Sequence, residues 1–272
     1  MLRNPVVAGS FYPGNSRILK NMITDYLQNA DGPEEFSDIL GIISPHAGYM
    51  YSGQCAAFGF KALKQKDFDL AVMIAPSHRF GDFDYSVTDY NEFLTPLGRI
   101  KVAQDIVKEL KLKYSMVTSD YANDSEHSLE VQLPFLQQIK PEAKIVPILM
   151  GEQNPENSRR LAVNLAEYFE DRLEKTVFII SSDLSHYYDK PTATKMDTMI
   201  AENLEKLDVK KMEEDMLHGN VEACGLGGIL TLMSLAKIFN YNSITNLDYR
   251  NSGDVSGDYD QVVGYLSSCA YK

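Results

Sequence analysis

Ile42-Ile43-Ser44-Pro45-His46-Ala47-Gly48-Tyr49-Met50-Tyr51-Ser52-Gly53 runs from an apolar segment directly into a proline, a histidine and a glycine. Two other stretches repeat the design: Val72-Met73-Ile74-Ala75-Pro76-Ser77-His78 and Val177-Phe178-Ile179-Ile180-Ser181-Ser182-Asp183-Leu184-Ser185-His186. Three of the five histidines therefore share one context. Unbroken apolar runs bounded by turn residues read as parallel strands buried on both faces, and ligands of open α/β sheets sit beyond the carboxyl ends of such strands. The fold class that follows is α/β, with a mixed, mostly parallel sheet covered by helices on both faces.

Outward from these runs, strand and helix signals alternate. Residues 1–15, with Pro5, Gly9, Pro13 and Gly14, lack a helical period and read as an extended segment across the core, anchored by Phe11 and Tyr12. Ser16 is the expected cap of a helix in which Ile18, Leu19, Met22, Ile23, Tyr26 and Leu27 recur at three- and four-residue steps. An acidic linker, residues 31–38, precedes the first strand. From about Ser52 the small residues Cys55, Ala56, Ala57 and Gly59 predict a helix packed closely on a sheet. Residues 68–75 repeat the strand, 85–102, which contain Pro96 and Gly98, read as an antiparallel excursion or hairpin, and 103–112 as helix. Asn123-Asp124-Ser125-Glu126 offers a helix cap with Glu126 as its capping-box carboxylate, and Pro134 kinks or divides the helix that follows. Strands are expected at 145–150 and 177–181, and helices at 157–173, 194–207 and 209–217. Cys224-Gly225-Leu226-Gly227-Gly228 opens an apolar helix, and two strands, 244–249 and 262–267, close the chain.

At 272 residues, 44% hydrophobic and 24% charged, the chain has the material for one large core, and a single domain over 1–272 is expected. A formal net charge of −12 without a Lys/Arg cluster argues against direct nucleic-acid binding. Cys55, Cys224 and Cys269 are odd in number, widely spaced and preceded by no signal-peptide pattern, so the expectation is a cytoplasmic protein without a disulfide framework. No apolar run reaches spanning length; residues 229–239 carry Ser234 and Lys237, and no membrane partner is expected.

A lone histidine at a strand end ordinarily hydrogen-bonds a turn. The repetition is what argues otherwise: a sheet that brings His46, His78 and His186 to one edge places imidazoles within reach of a common divalent metal. Asp183 and His186, three apart after a strand, can act as a pair in which the carboxylate orients the imidazole and the imidazole moves a proton. His127, flanked by Glu126 and Glu130, reads either as a surface charge pattern or as outer support for a ligand. Cys224 precedes a glycine-rich helix start, where the dipole favours a thiolate suited to a metal ligand or nucleophile and the glycines let a ligand or another chain come close. Cys55 and Cys269 read as small buried hydrophobes.

The same residues carry a family likeness. Pro5-Val6-Val7-Ala8-Gly9-Ser10-Phe11-Tyr12-Pro13, Pro45-His46-Ala47-Gly48-Tyr49, Pro76-Ser77-His78, Glu126-His127-Ser128-Leu129-Glu130, Ser181-Ser182-Asp183-Leu184-Ser185-His186 and Glu222-Ala223-Cys224-Gly225 together resemble the Memo family. Its prokaryotic members are called AmmeMemoRadiSam system protein B. The resemblance implies a fold similar to the catalytic subunit of class III extradiol dioxygenases, which use non-haem Fe(II). It also implies His46, His78 and Cys224 as metal ligands, with Asp183 and His186 as the catalytic Asp and His. A cysteine where the dioxygenases have a glutamate is softer, favours Fe, Cu(I) or Zn, and departs from the two-His-one-carboxylate site, so ring cleavage is not carried over.

The function expected from this reading is metal binding in a dioxygenase-like pocket, with redox chemistry at a mononuclear Fe or Cu site acting on a small molecule or peptide. His186 would serve as acid/base and Asp183 would orient it. The family name points to radical-SAM system proteins as partners. The alternative is a non-catalytic peptide- or protein-binding module on the same fold; a third reading places Zn in the site for hydrolysis.

Overall fold

In the structure, a computed structural model that describes residues 1–32 and 35–272, the strands in chain order are β1 (Leu2–Arg3), β2 (Ile39–Ser44), β3 (Leu70–Pro76), β4 (Tyr85–Val87), β5 (Glu92–Thr95), β6 (Gly98–Lys101), β7 (Val117–Thr118), β8 (Lys144–Met150), β9 (Thr176–Ser181), β10 (His186–Tyr188), β11 (Ser243–Asn251) and β12 (Val262–Tyr271). The middle of the acidic linker, residues 33 and 34, lies outside the described residues. The large sheet runs β10-β12-β2-β9-β3-β8-β4-β7, with β11 added on β12. Its centre, β2-β9-β3-β8, is parallel throughout. On the flanks β12 runs antiparallel to β2 and β4 antiparallel to β8, which makes the sheet mixed. Every residue of β2, β3 and β9 is buried, so these strands read as unbroken apolar runs and not as alternating ones. A second, three-stranded sheet, β1-β5-β6, holds the hairpin expected between 85 and 102.

The helices are α1 (Ser16–Gln28), α2 (Tyr49–Leu63), α3 (Gln104–Tyr114), α4 (Asp120–Ser125), α5 (Leu133–Ile139), α6 (Pro155–Phe169), α7 (Lys190–Glu205), α8 (Val209–His218), α9 (Leu226–Ile238) and α10 (Gly253–Ser256). The register sets Ile42 beside Ile179 on one face and Ile43, Ile180 and Ile74 together on the other. α2 lies on the first face, where a Cβ at Gly59 would stand 3.1 Å from Ile42; α9 lies on the second, where one at Gly228 would stand 3.0 Å from Ile180. α1 and α5 pack on α2, while α6 and α8 pack on α9. No helix among the described residues is long and apolar enough to cross a membrane.

Local readings shift in several places. Asn15, not Ser16, caps α1, its side chain accepting from the amides of Arg17 and Ile18. α2 begins at Tyr49, three residues before the expected start. Asn123-Asp124-Ser125 close α4, which Ser119 caps, and Glu126 lies in extended backbone beyond it, so Glu126 is no capping-box residue. Pro134 does divide its run: a 3₁₀ turn, Glu130–Gln132, precedes α5. The glycines at the start of α9 admit this chain's own sheet and not a second chain: a Cβ at Gly225 would meet the Ser181 carbonyl oxygen at 2.5 Å.

Candidate metal centre

Parallel strands end at one edge, so β2, β9 and β3 deliver His46, Asp183 and His78 there in spatial order. His46 follows the turn at Pro45 and is 1% exposed. Asp183 Oδ1 accepts from its backbone N–H at 2.7 Å and from that of Ala47 at 3.3 Å. The Ser181 hydroxyl donates its single proton to the Ser128 carbonyl at 2.7 Å and accepts from Gln132 Nε2 at 2.8 Å. With that proton committed, Ser181 Oγ can only accept at His46 Nδ1, 2.9 Å away. The tautomer is thereby set: Nδ1 carries the hydrogen, and Nε2 presents its lone pair to Cys224 Sγ at 3.2 Å. Burial above all, with His127 and His78 close by, holds the His46 imidazole well below its usual pKa, in the neutral form a metal needs.

His78 repeats the arrangement with a carboxylate. Its backbone N–H donates to Glu126 Oε2 at 2.7 Å, and its Nδ1 lies 2.9 Å from Glu126 Oε1. Oε1 also accepts from the amides of His127 and Ser128 at 2.9 and 3.0 Å. Burial alone would raise the pKa of Glu126, but the hydrogen bonds from His127 and His78 outweigh it and hold the carboxyl well below its ordinary range. Burial likewise opposes charge on His78, but Glu126 prevails and raises its pKa. Facing an acceptor-only carboxylate, His78 Nδ1 is the protonated nitrogen and Nε2 is left for a ligand. An imidazole held by an outer carboxylate in this way is the usual form of a metal-binding histidine.

Cys224 reaches the same point on the loop between α8 and α9. Its N–H donates to the Asp183 carbonyl and the Asp183 N–H donates to its sulfur, both at 3.2 Å. Gln153 Nε2 donates to its carbonyl at 2.6 Å. Across the loop every amide from 182 to 186 has its own acceptor: Ser44 O, Cys224 Sγ, Gly264 O, Asp197 Oδ1 and Glu222 Oε1 in turn. The expected dipole effect does not govern the thiol. Gly225 is the cap of α9, Cys224 stands before it, and burial first, then the nearby Asp183 carboxylate, pushes the thiol well above its usual pKa.

One ligand atom each from His46, His78 and Cys224 lies within 4.8 Å of the others. A nitrogen and a sulfur at about 2.0 and 2.3 Å from a tetrahedral ion stand about 3.5 Å apart, close to the His46–Cys224 spacing. The donor set therefore fits a mononuclear transition-metal ion, with borderline imidazoles and a soft sulfur. His46 forms the closed floor, while His78 and Cys224 reach solvent.

The structure does not bring His186 into this group. It begins β10, paired with Val263 of β12 two strands out from β2. Its amide donates to Glu222 Oε1 at 3.2 Å, the same oxygen lies 3.9 Å from its Nδ1, and Tyr188 Oη donates to Glu222 Oε2 at 2.9 Å. The carboxylate in contact with His186 is thus Glu222, whereas Asp183, raised in pKa by burial despite its bonds to the His46 turn and the nearby His186, spends its Oδ1 on the amides of His46 and Ala47. His127 is no surface pattern: its ring centroid lies 4.8 Å from that of His78 and 5.4 Å from that of His46, and with His78 and Glu126 it forms a second group of close donor atoms. Outer support was one of the two readings open for the His127 group with Glu126 and Glu130, and Glu126 fills it at His78. Ser181, Gln132 and Glu222 are supporting residues to which the sequence pattern gives no such role, only the S-S-D-x-x-H and E-A-C-G blocks marking the neighbourhoods of Ser181 and Glu222.

The family model described as Memo-like protein matches residues 3–269. A MEMO1 family protein of Methanobrevibacter smithii is 37% identical, covering 98% of this chain and 99% of its own. Those of Nitrosopumilus maritimus and Thermotoga maritima are 35% and 34% identical, covering 97% and 100% of this chain and 98% and 100% of their own.

Proposed function

The chain belongs to the Memo family, and from that premise we propose that it holds one transition-metal ion between His46 Nε2, His78 Nε2 and Cys224 Sγ and acts as a metal-dependent oxidoreductase on a small molecule. The observation that carries this reading is the matched preparation of the two histidines: Ser181 and Glu126 each occupy an Nδ1 and leave the Nε2 lone pair for a ligand. Iron or copper bound there would supply one-electron chemistry; zinc fits the same donors without it. Three protein ligands leave room for an exogenous donor. His127 and His186 flank the site as imidazoles able to pass a proton, His186 steadied by Glu222, while Asp183 fixes the turn that presents His46. A reducing cytoplasm suits a site whose sulfur must stay a thiol or thiolate.

Anaerobic purification, metal analysis and O₂-uptake measurements on iron- and copper-loaded protein test the proposal. About one ion per chain is expected, lost in His46→Ala and Cys224→Ser. Protein that takes up no transition metal, with both variants matching the wild type, would sink it.

A further inference from the structure

The N-terminal block makes no direct contact with the three donor atoms, but it is bound to the E-H-S-L-E block that supplies Glu126 and His127 to the site. Glu130 is 0% exposed and Arg3 2%, and they form an ion pair at 2.7 Å. Glu130 also accepts from the amides of Val6 and Val7 at 2.8 and 3.0 Å and from Tyr12 Oη at 2.6 Å. The Arg3 guanidinium reaches further: Nε donates to the Asn123 carbonyl at 2.7 Å and Nη2 to the Glu126 carbonyl at 2.5 Å. Arg3 therefore grips both ends of the turn 126–130, whose side chains Glu126 and His127 face the metal centre. Phe11 completes the contact. Its ring lies 4.8 Å from that of His127, and its carbonyl accepts from the Tyr49 amide at 2.7 Å, just past the His46 turn.

A buried ion pair is a poor source of stability, since desolvation of both charges offsets their attraction and apolar replacements often do as well. What the pair does supply is direction. A planar fork with three acceptors in fixed places sets a backbone in a way that packing alone does not.

We propose that residues 3–12 are a positioning element of the metal centre: Arg3 sets the turn that carries Glu126 and His127, and Phe11 holds the His127 ring, so that metal affinity and coordination geometry depend on this strap. The inference rests on the metal-binding reading above. It adds that the ligand His78 is held, through Glu126, by a residue at the chain's start.

The test uses full-length protein and Co²⁺ as a spectroscopic probe, with Arg3→Met, Arg3→Lys and Phe11→Ala beside the wild type. Loss of an outer partner of a metal ligand costs about 10- to 100-fold in affinity, so Arg3→Met is expected to weaken Co²⁺ binding about 10-fold and to alter its visible spectrum. The three N–H groups of lysine radiate from one nitrogen and cannot span acceptors that Arg3 reaches from Nε, Nη1 and Nη2, so Arg3→Lys is expected not to restore either. Phe11→Ala removes no buried charge and decides the matter if the Arg3 variants do not fold; it is expected to change the spectrum and weaken binding several-fold. Wild-type affinity and spectrum in Arg3→Met and Phe11→Ala would overturn the proposal. If the wild type itself binds no Co²⁺, the metal reading fails on its own. The strap is then judged by imidazole nitrogen resonances of the metal-free protein: displaced His78 and His127 signals with an unmoved His186 support it, and unmoved His78 and His127 signals refute it.

Discussion

Gly225→Ala puts the closest contact of the site to the test. A Cβ there would stand 2.5 Å from the Ser181 carbonyl oxygen, 2.7 Å from Ser182 Cβ and 2.9 Å from Ser182 Oγ. The backbone at Gly225 has φ −109°, which any residue adopts, so the cost is collision alone and not strain. Relief to an ordinary 3.4 Å contact needs about 0.9 Å, the difference between 3.4 and 2.5 Å. The sheet side cannot supply it, because Ser181 ends a central strand and the Ser182 amide is bonded to Ser44 O at 3.0 Å. The start of α9 must move instead, and Cys224 moves with it, away from His46 Nε2 at 3.2 Å. Overpacking of a well-packed interior costs about 1–3 kcal/mol, and a backbone obstacle argues for the upper end, about 3 kcal/mol. Urea denaturation reads the stability, and Co²⁺ titration of the folded variant reads the site, where a loss of about 10-fold or more is expected. Gly219→Ala is the companion: with φ +67° and open space around the missing Cβ, it should cost about 1 kcal/mol of backbone strain and leave Co²⁺ affinity unchanged. A Gly225→Ala protein as stable as the wild type with full affinity, or equal loss of affinity in Gly219→Ala, would refute the reasoning.

Three further outcomes follow from the titrating groups. The pKa of His46 is lowered by burial, so below the ordinary histidine value of 6.5 the unfolded chain binds a proton that the native protein refuses. Stability of metal-free protein should therefore fall as pH drops from about 6.5 to 5, by up to about 1.4 kcal/mol per pH unit, and His46→Gln should flatten that limb in denaturation curves. His78 acts in the opposite sense: its raised pKa contributes stability that is complete below 6.5 and lost as pH rises through the folded value, and Glu126→Gln should abolish that alkaline loss while weakening Co²⁺ binding about 10- to 100-fold. Because the Cys224 thiol is pushed up, metal entry at pH 8 should release at least about one proton per ion, seen as a buffer-dependent heat in calorimetry; a heat independent of buffer would contradict the ligand assignment.

The sheet was legible because its central strands are buried on both faces, and β2, β3 and β9 announce this by having no polar alternation. Their common direction then made the edge where His46 and His78 meet a consequence of topology. Two things resisted the same logic. Cys224 comes from a loop between helices, where no strand pattern points, and family likeness named it. Glu126 carried a misleading local signal: a carboxylate after Asn123-Asp124-Ser125 imitates a capping box, while its true partner, the His78 amide, lies 48 residues away. Neighbouring cap-competent residues such as Asn15 and Ser16 are a milder case, since either could begin the helix on composition and only the backbone decides. His186 follows the strand design in sequence, but the chain needs the intervening residues 182–185 for its amide hub, and these carry it outward to β10.

The cysteine also makes the metal-free site physically tolerable. A carboxylate at position 224 would bury a second anion beside Asp183, whose own pKa burial has already raised, with the neutral imidazole of His46 as its nearest partner. A thiol avoids this. Its pKa is raised by burial and by Asp183, so it remains S–H and can donate to the Nε2 lone pair that the Ser181 bond leaves on His46. The pair is then neutral and hydrogen-bonded, which removes most of the desolvation cost of a buried ionic ligand. Ionisation of the sulfur would need a cation to compensate it, and the Asp183 amide at 3.2 Å is already in place as a donor to the thiolate. A thiol at position 224 thus suits the carboxylate already buried beside it, and under the proposed metal binding it would link ion uptake to the loss of a proton at Cys224.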